Sequence, residues 1–153
     1  MKLGDVLKKE RERCGLSADR TAECLHLHPE QYADVERGES QAEIWGPRIA
    51  LLAIRFGVPM ARLLSPTGRV AGGAEAKVGD LLARYRAQHG DAQALIAEQL
   101  GISADEYCAV EAGASPVEGI APWLLRFAEL VDQPVFNLFY PCGLPLEQVD
   151  DYP

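Results

Sequence analysis

The chain has 153 residues, which is enough for one domain or for two small ones, and its hydrophobic content of 48% is ordinary for a globular protein. No apolar run approaches the roughly 18 residues that a membrane-spanning helix requires, and the N-terminal segment lacks the residue order of a signal peptide, so we expect a cytoplasmic protein. The formal net charge of −8 disfavours a general attraction to the phosphates of nucleic acids.

An internal repeat organises the chain. A shift of 75 positions, which places Gly4 on Gly79, aligns the sequence with itself without a gap. Roughly 20 of about 65 aligned positions are identical, far more than chance would give. We therefore predict a first domain over residues 1–66, a Gly/Ala-rich linker over 67–76, a second domain over 77–142 and an acidic tail over 143–153. These two domains are called the first and the second repeat below.

The first repeat begins with three predicted helices. Apolar residues spaced three and four apart after Leu3 indicate a first helix that Gly15 ends. Ser17 is a suitable N-cap for a second helix. After a three-residue turn over 26–28, a third helix is predicted over 29–36, where proline suits the first position.

Two further helices are predicted to complete each repeat. Pro47 and Pro122 are expected to begin the fourth helices, and Pro59 and Pro134 the short fifth ones. The third helix of the second repeat is predicted over 104–111. The sequence thus predicts an all-α fold.

A family pattern runs from the first helix to the third in both repeats. The first repeat supplies Arg11, Gly15, Ser17, Ala22-Glu23, Leu25, Tyr32 and Val35-Glu36-Arg37-Gly38, and the second supplies Arg86, Gly90, Gln93, Ala97-Glu98, Leu100, Tyr107 and Val110-Glu111-Ala112-Gly113. This pattern resembles the lambda-repressor-like (XRE/Cro-type) helix-turn-helix family and covers nearly the whole chain. The resemblance implies two tandem five-helix domains. It also implies that Arg11 with Glu36, and Arg86 with Glu111, form structural ion pairs that hold each third helix against the scaffold.

His26 departs from the family pattern, because glycine is usual at this position of the turn and is present as Gly101 in the second repeat. The position commonly needs a positive φ, which histidine tolerates better than β-branched residues do. We therefore expect a positive φ at His26.

The resemblance also implies that the third helix of such a domain would lie in the major groove of DNA. The DNA-contact candidates that it assigns are Pro29, Glu30 and Asp34 at reading positions, Gln31 beside them, and Gln93 in the second repeat. The basic residues of the first repeat add three candidates at the groove rim, Arg20, Arg37 and Arg48. The reading positions of the second repeat are Ala104, Asp105 and Ala109. Carboxylates at these positions would face a dense row of phosphates.

Charge separates the two halves of the chain. Residues 1–75 hold 11 of the 15 basic and 11 of the 23 acidic residues, so they are neutral, whereas residues 76–153 hold the other 4 basic and 12 acidic residues. Because each phosphate contact needs a donor, DNA binding of the usual kind is unfavourable for the second repeat. Any contact with duplex DNA is therefore assigned to the first repeat.

Two functions stay open. One is a transcriptional regulator whose first repeat contacts DNA while the acidic second repeat serves assembly or regulation. The other is an antirepressor- or antitoxin-like protein-binding module without DNA contact, acting on a protein partner or as a homodimer. Its candidate anchors are exposed Trp45 or Trp123 and the cluster of Phe136, Phe139 and Tyr140, although that cluster equally suits a domain core.

Other chemistry is disfavoured. Cys24, His26 and His28, with Cys14 upstream, include zinc-ligand residue types, but their spacing differs from the usual zinc patterns. Neither a nucleophile–base set nor a glycine-rich phosphate loop is visible, so we expect no enzyme and no cofactor.

Overall fold

The computed structural model describes residues 2–64 and 77–142, so the predicted linker and tail lie outside the described residues. Within this part of the chain there are nine α-helices, one 3-10 helix and no β-strand. The predicted all-α fold is confirmed. None of the described helices has the length and apolarity needed to cross a membrane.

The helices follow one another in the same order in both repeats. The first repeat contains α1 (Leu3–Arg13), α2 (Ala18–Cys24), α3 (Pro29–Arg37), α4 (Gln41–Phe56) and α5 (Met60–Leu64), and the second contains α6 (Val78–His89), α7 (Gln93–Leu100), α8 (Ala104–Glu111), α9 (Val117–Leu130) and a C-terminal 3-10 helix (Val135–Cys142). The fifth element of the second repeat is therefore not an α-helix as predicted. Pro141 lies inside this element and has no amide donor, so no α-helical i→i−4 hydrogen bond can form at that residue.

The fourth helices begin earlier than the sequence analysis predicts. Pro47 and Pro122 lie inside α4 and α9, so the prediction that they begin these helices is wrong. The hydroxyl groups of Ser40 and Ser115 accept hydrogen bonds from first-turn amides of α4 and α9, at 3.1 and 3.2 Å. Ser40 is the N-cap of α4, whereas the N-cap of α9 is Pro116, which follows Ser115 directly. In both helices the start therefore lies ahead of the internal proline.

A glutamate of each fourth helix binds the N-terminus of the first helix in the same repeat. The carboxylate of Glu43 accepts hydrogen bonds from the amides of Leu3 and Gly4 at 2.8 and 3.0 Å. The corresponding carboxylate of Glu118 accepts two such bonds from the first amides of α6, both at 2.9 Å. Amides at a helix N-terminus have no partner within the helix, and these carboxylates satisfy two of them in each repeat.

Each fifth element packs on the other repeat. In the first repeat, α5 contacts α4 and also α6 and α9 of the second repeat. The C-terminal 3-10 helix contacts α9 and also α1, α4 and α5 of the first repeat. The first and fourth helices of each repeat thus receive the fifth element of the other, and buried side chains from both repeats form one hydrophobic core.

Equivalent contacts join the end of each first helix to the fourth helix of the other repeat. Cys14 Sγ lies 3.9 Å from the carbonyl oxygen of Val131, and Arg13 donates to the same oxygen at 2.9 Å. His89 Nε2 lies 3.3 Å from the carbonyl oxygen of Phe56. Cys14 and His89 occupy equivalent positions of the repeat, as do Val131 and Phe56. The two repeats are therefore arranged with approximate two-fold pseudosymmetry.

Aromatic side chains fill the boundary between the repeats. The ring of Phe56 stacks on that of Tyr85, with a centroid distance of 6.2 Å. Phe139 of the C-terminal 3-10 helix is fully buried, and a Cβ atom on Gly46 of α4 would lie 3.1 Å from its ring. Such close packing couples the stability of one repeat to that of the other.

Candidate nucleic-acid interface

The turn between α2 and α3 has the backbone conformation that the sequence predicts. His26 has a φ of 59°, which confirms the expected positive value, and Gly101 has a φ of 72° at the equivalent position. The amide of Leu27 donates to the carbonyl oxygen of Ala22 at 2.9 Å and closes the turn. The turn directs α3 away from α2 and leaves its first residues at the surface.

Two ion pairs fix the third helices to the first helices. Arg11 donates from Nε and Nη2 to the Glu36 carboxylate at 2.6 and 3.2 Å, and from Nη1 to the carbonyl oxygen of Leu16 at 2.7 Å. Arg86 binds Glu111 in the same bidentate manner, at 2.6 and 3.0 Å. Both pairs are largely shielded from solvent. They tie the C-terminal end of each third helix to the scaffold.

The ion pair of the second repeat includes Gln93, which the sequence analysis assigns to DNA. Gln93 Nε2 donates to Glu111 Oε1 at 2.9 Å, and the thiol of Cys108 donates to Gln93 Oε1 at 3.2 Å. Burial opposes ionisation of Glu111, but its contacts with Arg86, Tyr107 and Gln93 outweigh that cost and lower the pKa of its carboxyl group. The structure thus places the Gln93 amide within the scaffold network.

The reading positions of the first repeat lie at the start of α3. Pro29, Glu30 and Gln31 are exposed, and Asp34 is half-buried. Gln31 Oε1 accepts a hydrogen bond from the amide of His28 at 2.8 Å, so this side chain also caps the helix. These reading positions therefore include two carboxylates, the exposed one of Glu30 and that of Asp34, which binds Arg37.

The arginines around α3 already have partners. Arg37 binds Asp34 and, at 3.2 Å, Glu39. Arg20 lies 3.6 Å from Glu23. Their side chains are 56% and 63% exposed, and ion pairs at such exposure are weak, so a phosphate could replace the carboxylate partner.

Arg48 is placed differently from the other two arginines. It belongs to α4, and its guanidinium carbon lies 4.6 Å from the centroid of the Trp45 ring. A cation–π contact of this kind fixes the side chain against the helix. Arg48 is half-buried and is less available to a phosphate than Arg20 or Arg37.

The equivalent surface of the second repeat carries no positive charge. Ala104, Asp105 and Glu106 are exposed at the start of α8, and residues 91–112 include neither lysine nor arginine. Leu95, which is 39% exposed, takes the place of Arg20. The two surfaces therefore share a backbone and differ in charge.

The predicted aromatic anchors lie in the core. Trp45 and Trp123 are only 8% and 7% exposed, so the prediction that one of them is an exposed interface anchor is wrong. They sit on α4 and α9, which bury their apolar faces between the repeats. Phe136 and Phe139 are buried as well, while the side chain of Tyr140 lies outside the described part.

Two carboxylates that bind the first helices are absent from the residues predicted to be functional. Glu43 and Glu118 each follow a serine by three residues, in the Ser-x-x-Glu pattern of a capping box, and they are equivalent in the repeat. In an ordinary capping box the glutamate returns to the amide at its own helix start. Here each glutamate reaches the start of a different helix, which the local pattern does not indicate.

The chain matches no protein-family model, no curated protein and no solved structure. In the part of the chain that the structure describes, no three His, Cys, Asp or Glu side chains are grouped so that they could hold a metal ion.

Proposed function

We propose that this chain is a lambda-repressor-like transcriptional regulator of the cytoplasm in which two tandem helix-turn-helix domains act as one pseudo-dimer. In this proposal the first repeat contacts duplex DNA, and the second repeat serves assembly or regulation. The role is that of a binding protein and not of an enzyme.

The observation that carries the proposal is the difference between the α2–α3 and the α7–α8 surfaces. On the first, Arg20 of α2 and Arg37 at the C-terminal end of α3 are exposed. On the second, no basic residue occurs over 91–112. Since phosphate contacts supply most of the sequence-independent affinity for DNA, only the first surface is equipped to make them.

The proposal is tested with charge-removing variants of the intact chain. Arg20→Ala and Arg37→Ala should each weaken binding to a mixed-sequence duplex, measured by fluorescence anisotropy at low salt. Arg84→Ala is the matched control, because Arg84 is an exposed base of the second repeat, on α6. Equal losses in all three variants would reflect net charge alone and would contradict the assignment to the first repeat.

A second candidate function is an acidic protein-binding module of the antirepressor or antitoxin kind. Its support is that Arg20 and Arg37 on the α2–α3 surface are paired with carboxylates, while Asp105 and Glu106 are exposed on α8 without a nearby base in sequence. A basic protein partner would fit this surface. Asp105→Lys with Glu106→Lys should then abolish partner capture, whereas Glu129→Lys on α9 should not.

A further inference from the structure

A single hydrogen bond links the second repeat to the turn that begins α3. Arg126 of α9 donates from Nη1 to the carbonyl oxygen of Leu25 at 3.2 Å. Leu25 is the C-cap of α2, and carbonyl groups at a helix C-terminus carry partial negative charge without a partner in the helix. A guanidinium is a favourable donor for such a carbonyl.

The residue after Leu25 has an unfavourable backbone conformation. His26 has a φ of 59°, in the left-handed region that non-glycine residues rarely occupy. Leu27, which follows, lines a cavity of about 190 Å³ together with Trp123 of α9. Two side chains of the second repeat therefore lie at the two ends of this strained turn.

The equivalent turn of the second repeat, between α7 and α8, has neither the strain nor the contact. Gly101 occupies the position of His26, and glycine adopts a positive φ without strain. Leu51 of α4 occupies the position of Arg126 and cannot donate a hydrogen bond. The hydrogen bond from the fourth helix of the other repeat is thus present at the turn that contains histidine and absent from the turn that contains glycine.

We infer that Arg126 is a positioning residue through which the second repeat holds the α2–α3 turn of the first repeat, and with it the direction of α3. The consequence for DNA rests on the proposed function. The effect on the turn does not, because it concerns contacts within the chain. The second repeat thereby gains a role in controlling the surface that the first repeat presents.

Amide hydrogen exchange of the full chain tests the inference, with the second repeat as an internal control. The amide of Leu27 donates to Ala22, and the equivalent amide of Ile102 donates to Ala97 at 3.0 Å. In Arg126→Ala, exchange at Leu27 should become about tenfold faster, while exchange at Ile102 should not change. Equal acceleration at both amides, or none at Leu27, would overturn the inference.

Three further variants separate positioning from general destabilisation. Arg126→Lys keeps a cationic donor and should hold the Leu27 rate near that of the native chain, whereas Arg84→Ala removes an exposed charge and should leave it unchanged. His26→Gly, which removes the strain, should restore most of the lost protection in the Arg126→Ala background. If His26→Gly has the same effect with and without Arg126, the two residues are not coupled and the inference fails.

DNA binding gives a separate readout. A loss of affinity in Arg126→Ala that Arg126→Lys and His26→Gly reverse would extend the coupling to the proposed function. If the native chain binds no DNA, the proposed function fails, while the exchange rates still decide whether Arg126 positions the turn.

Discussion

Gly4 lies against the carbonyl oxygen of Val35, so close that a Cβ atom on Gly4 would stand 2.4 Å from that oxygen. The equivalent distance, from Gly79 to the carbonyl oxygen of Val110, would be 2.1 Å. The first helix of each repeat therefore reaches the end of the third helix through a glycine, and any side chain there must push the two helices apart.

The first prediction follows from this contact. Gly4→Ala and Gly79→Ala should each lower the free energy of unfolding by about 1–3 kcal/mol, because the backbone oxygen cannot yield as a flexible side chain would. Gly119→Ala is the control, since a Cβ there meets nothing within 4 Å and alanine favours the helix. Urea unfolding monitored by circular dichroism measures all three. A stable Gly4→Ala chain would show that the helices can separate at little cost.

The second prediction concerns the ion pair of the first repeat. Arg11 and Glu36 have side-chain exposures of only 11% and 13%, so Arg11→Ala would leave a shielded carboxylate without its partner. We expect a loss of about 3 kcal/mol in the free energy of unfolding. Replacing both residues by methionine should cost less than the two single changes together. Additive losses would mean that the pair does not act as a unit.

The third prediction concerns acid stability. The folded chain lowers the pKa of Glu111 below its unfolded value, so this group stabilises the fold fully above the unfolded pKa and ceases to do so as the pH falls through the folded pKa. Unfolding free energies measured from pH 7 down to about pH 3 should therefore fall less steeply in Glu111→Gln than in the native chain. Glu98→Gln, which removes an exposed carboxylate of α7, should leave the profile as it is. The idea fails if both variants give the same slope.

The fourth prediction concerns the fifth elements, each of which packs on the first and fourth helices of the other repeat. Phe139 belongs to the second repeat but packs beside Gly46 in the first. Phe139→Ala should cost about 3–5 kcal/mol and should increase hydrogen exchange in α1 and α4 as well as in α9. Asn137→Ala, at a half-buried position of the same 3-10 helix, is the milder comparison. Increased exchange confined to the second repeat would show that the repeats unfold independently.

The fifth prediction concerns the charge of the reading surface. Glu30 is exposed on α3, and Asp105 is its equivalent on α8. If the first repeat faces DNA, Glu30→Gln should raise the affinity for a mixed-sequence duplex at low salt, whereas Asp105→Asn should not. Anisotropy titrations of the two variants give the comparison directly. A larger gain from Asp105→Asn would reverse the assignment of the two repeats.

Much of the local structure could be predicted from the family pattern that both repeats resemble. Glycine is usual in that pattern at the position of His26, which predicts the positive φ, and the resemblance also implies the pairing of Arg11 with Glu36 and of Arg86 with Glu111. The early starts of α4 and α9 are indicated by Ser40 and Ser115, whose hydroxyl groups accept hydrogen bonds from first-turn amides, and not by Pro47 and Pro122, which lie inside the helices. The correct signal was present in the sequence.

The arrangement of the two repeats could not be predicted in this way. The fifth elements have apolar faces that suit the first and fourth helices of either repeat, because these helices share one pattern. Which repeat receives which element depends on contacts between distant residues, such as that of Phe139 with Gly46. The hydrogen bond from Arg126 to the carbonyl oxygen of Leu25 could not be predicted for the same reason, since 101 positions separate the two residues.

The salt dependence of DNA binding by the native chain tests the central claim most directly. Fluorescence anisotropy with a mixed-sequence duplex would be recorded at about 50 and 200 mM salt. The account predicts binding at the lower concentration that weakens steeply at the higher one, because the few phosphate contacts of Arg20 and Arg37 release counterions. An absence of binding even at the lower concentration would contradict a DNA-contacting first repeat and would favour the protein-binding module.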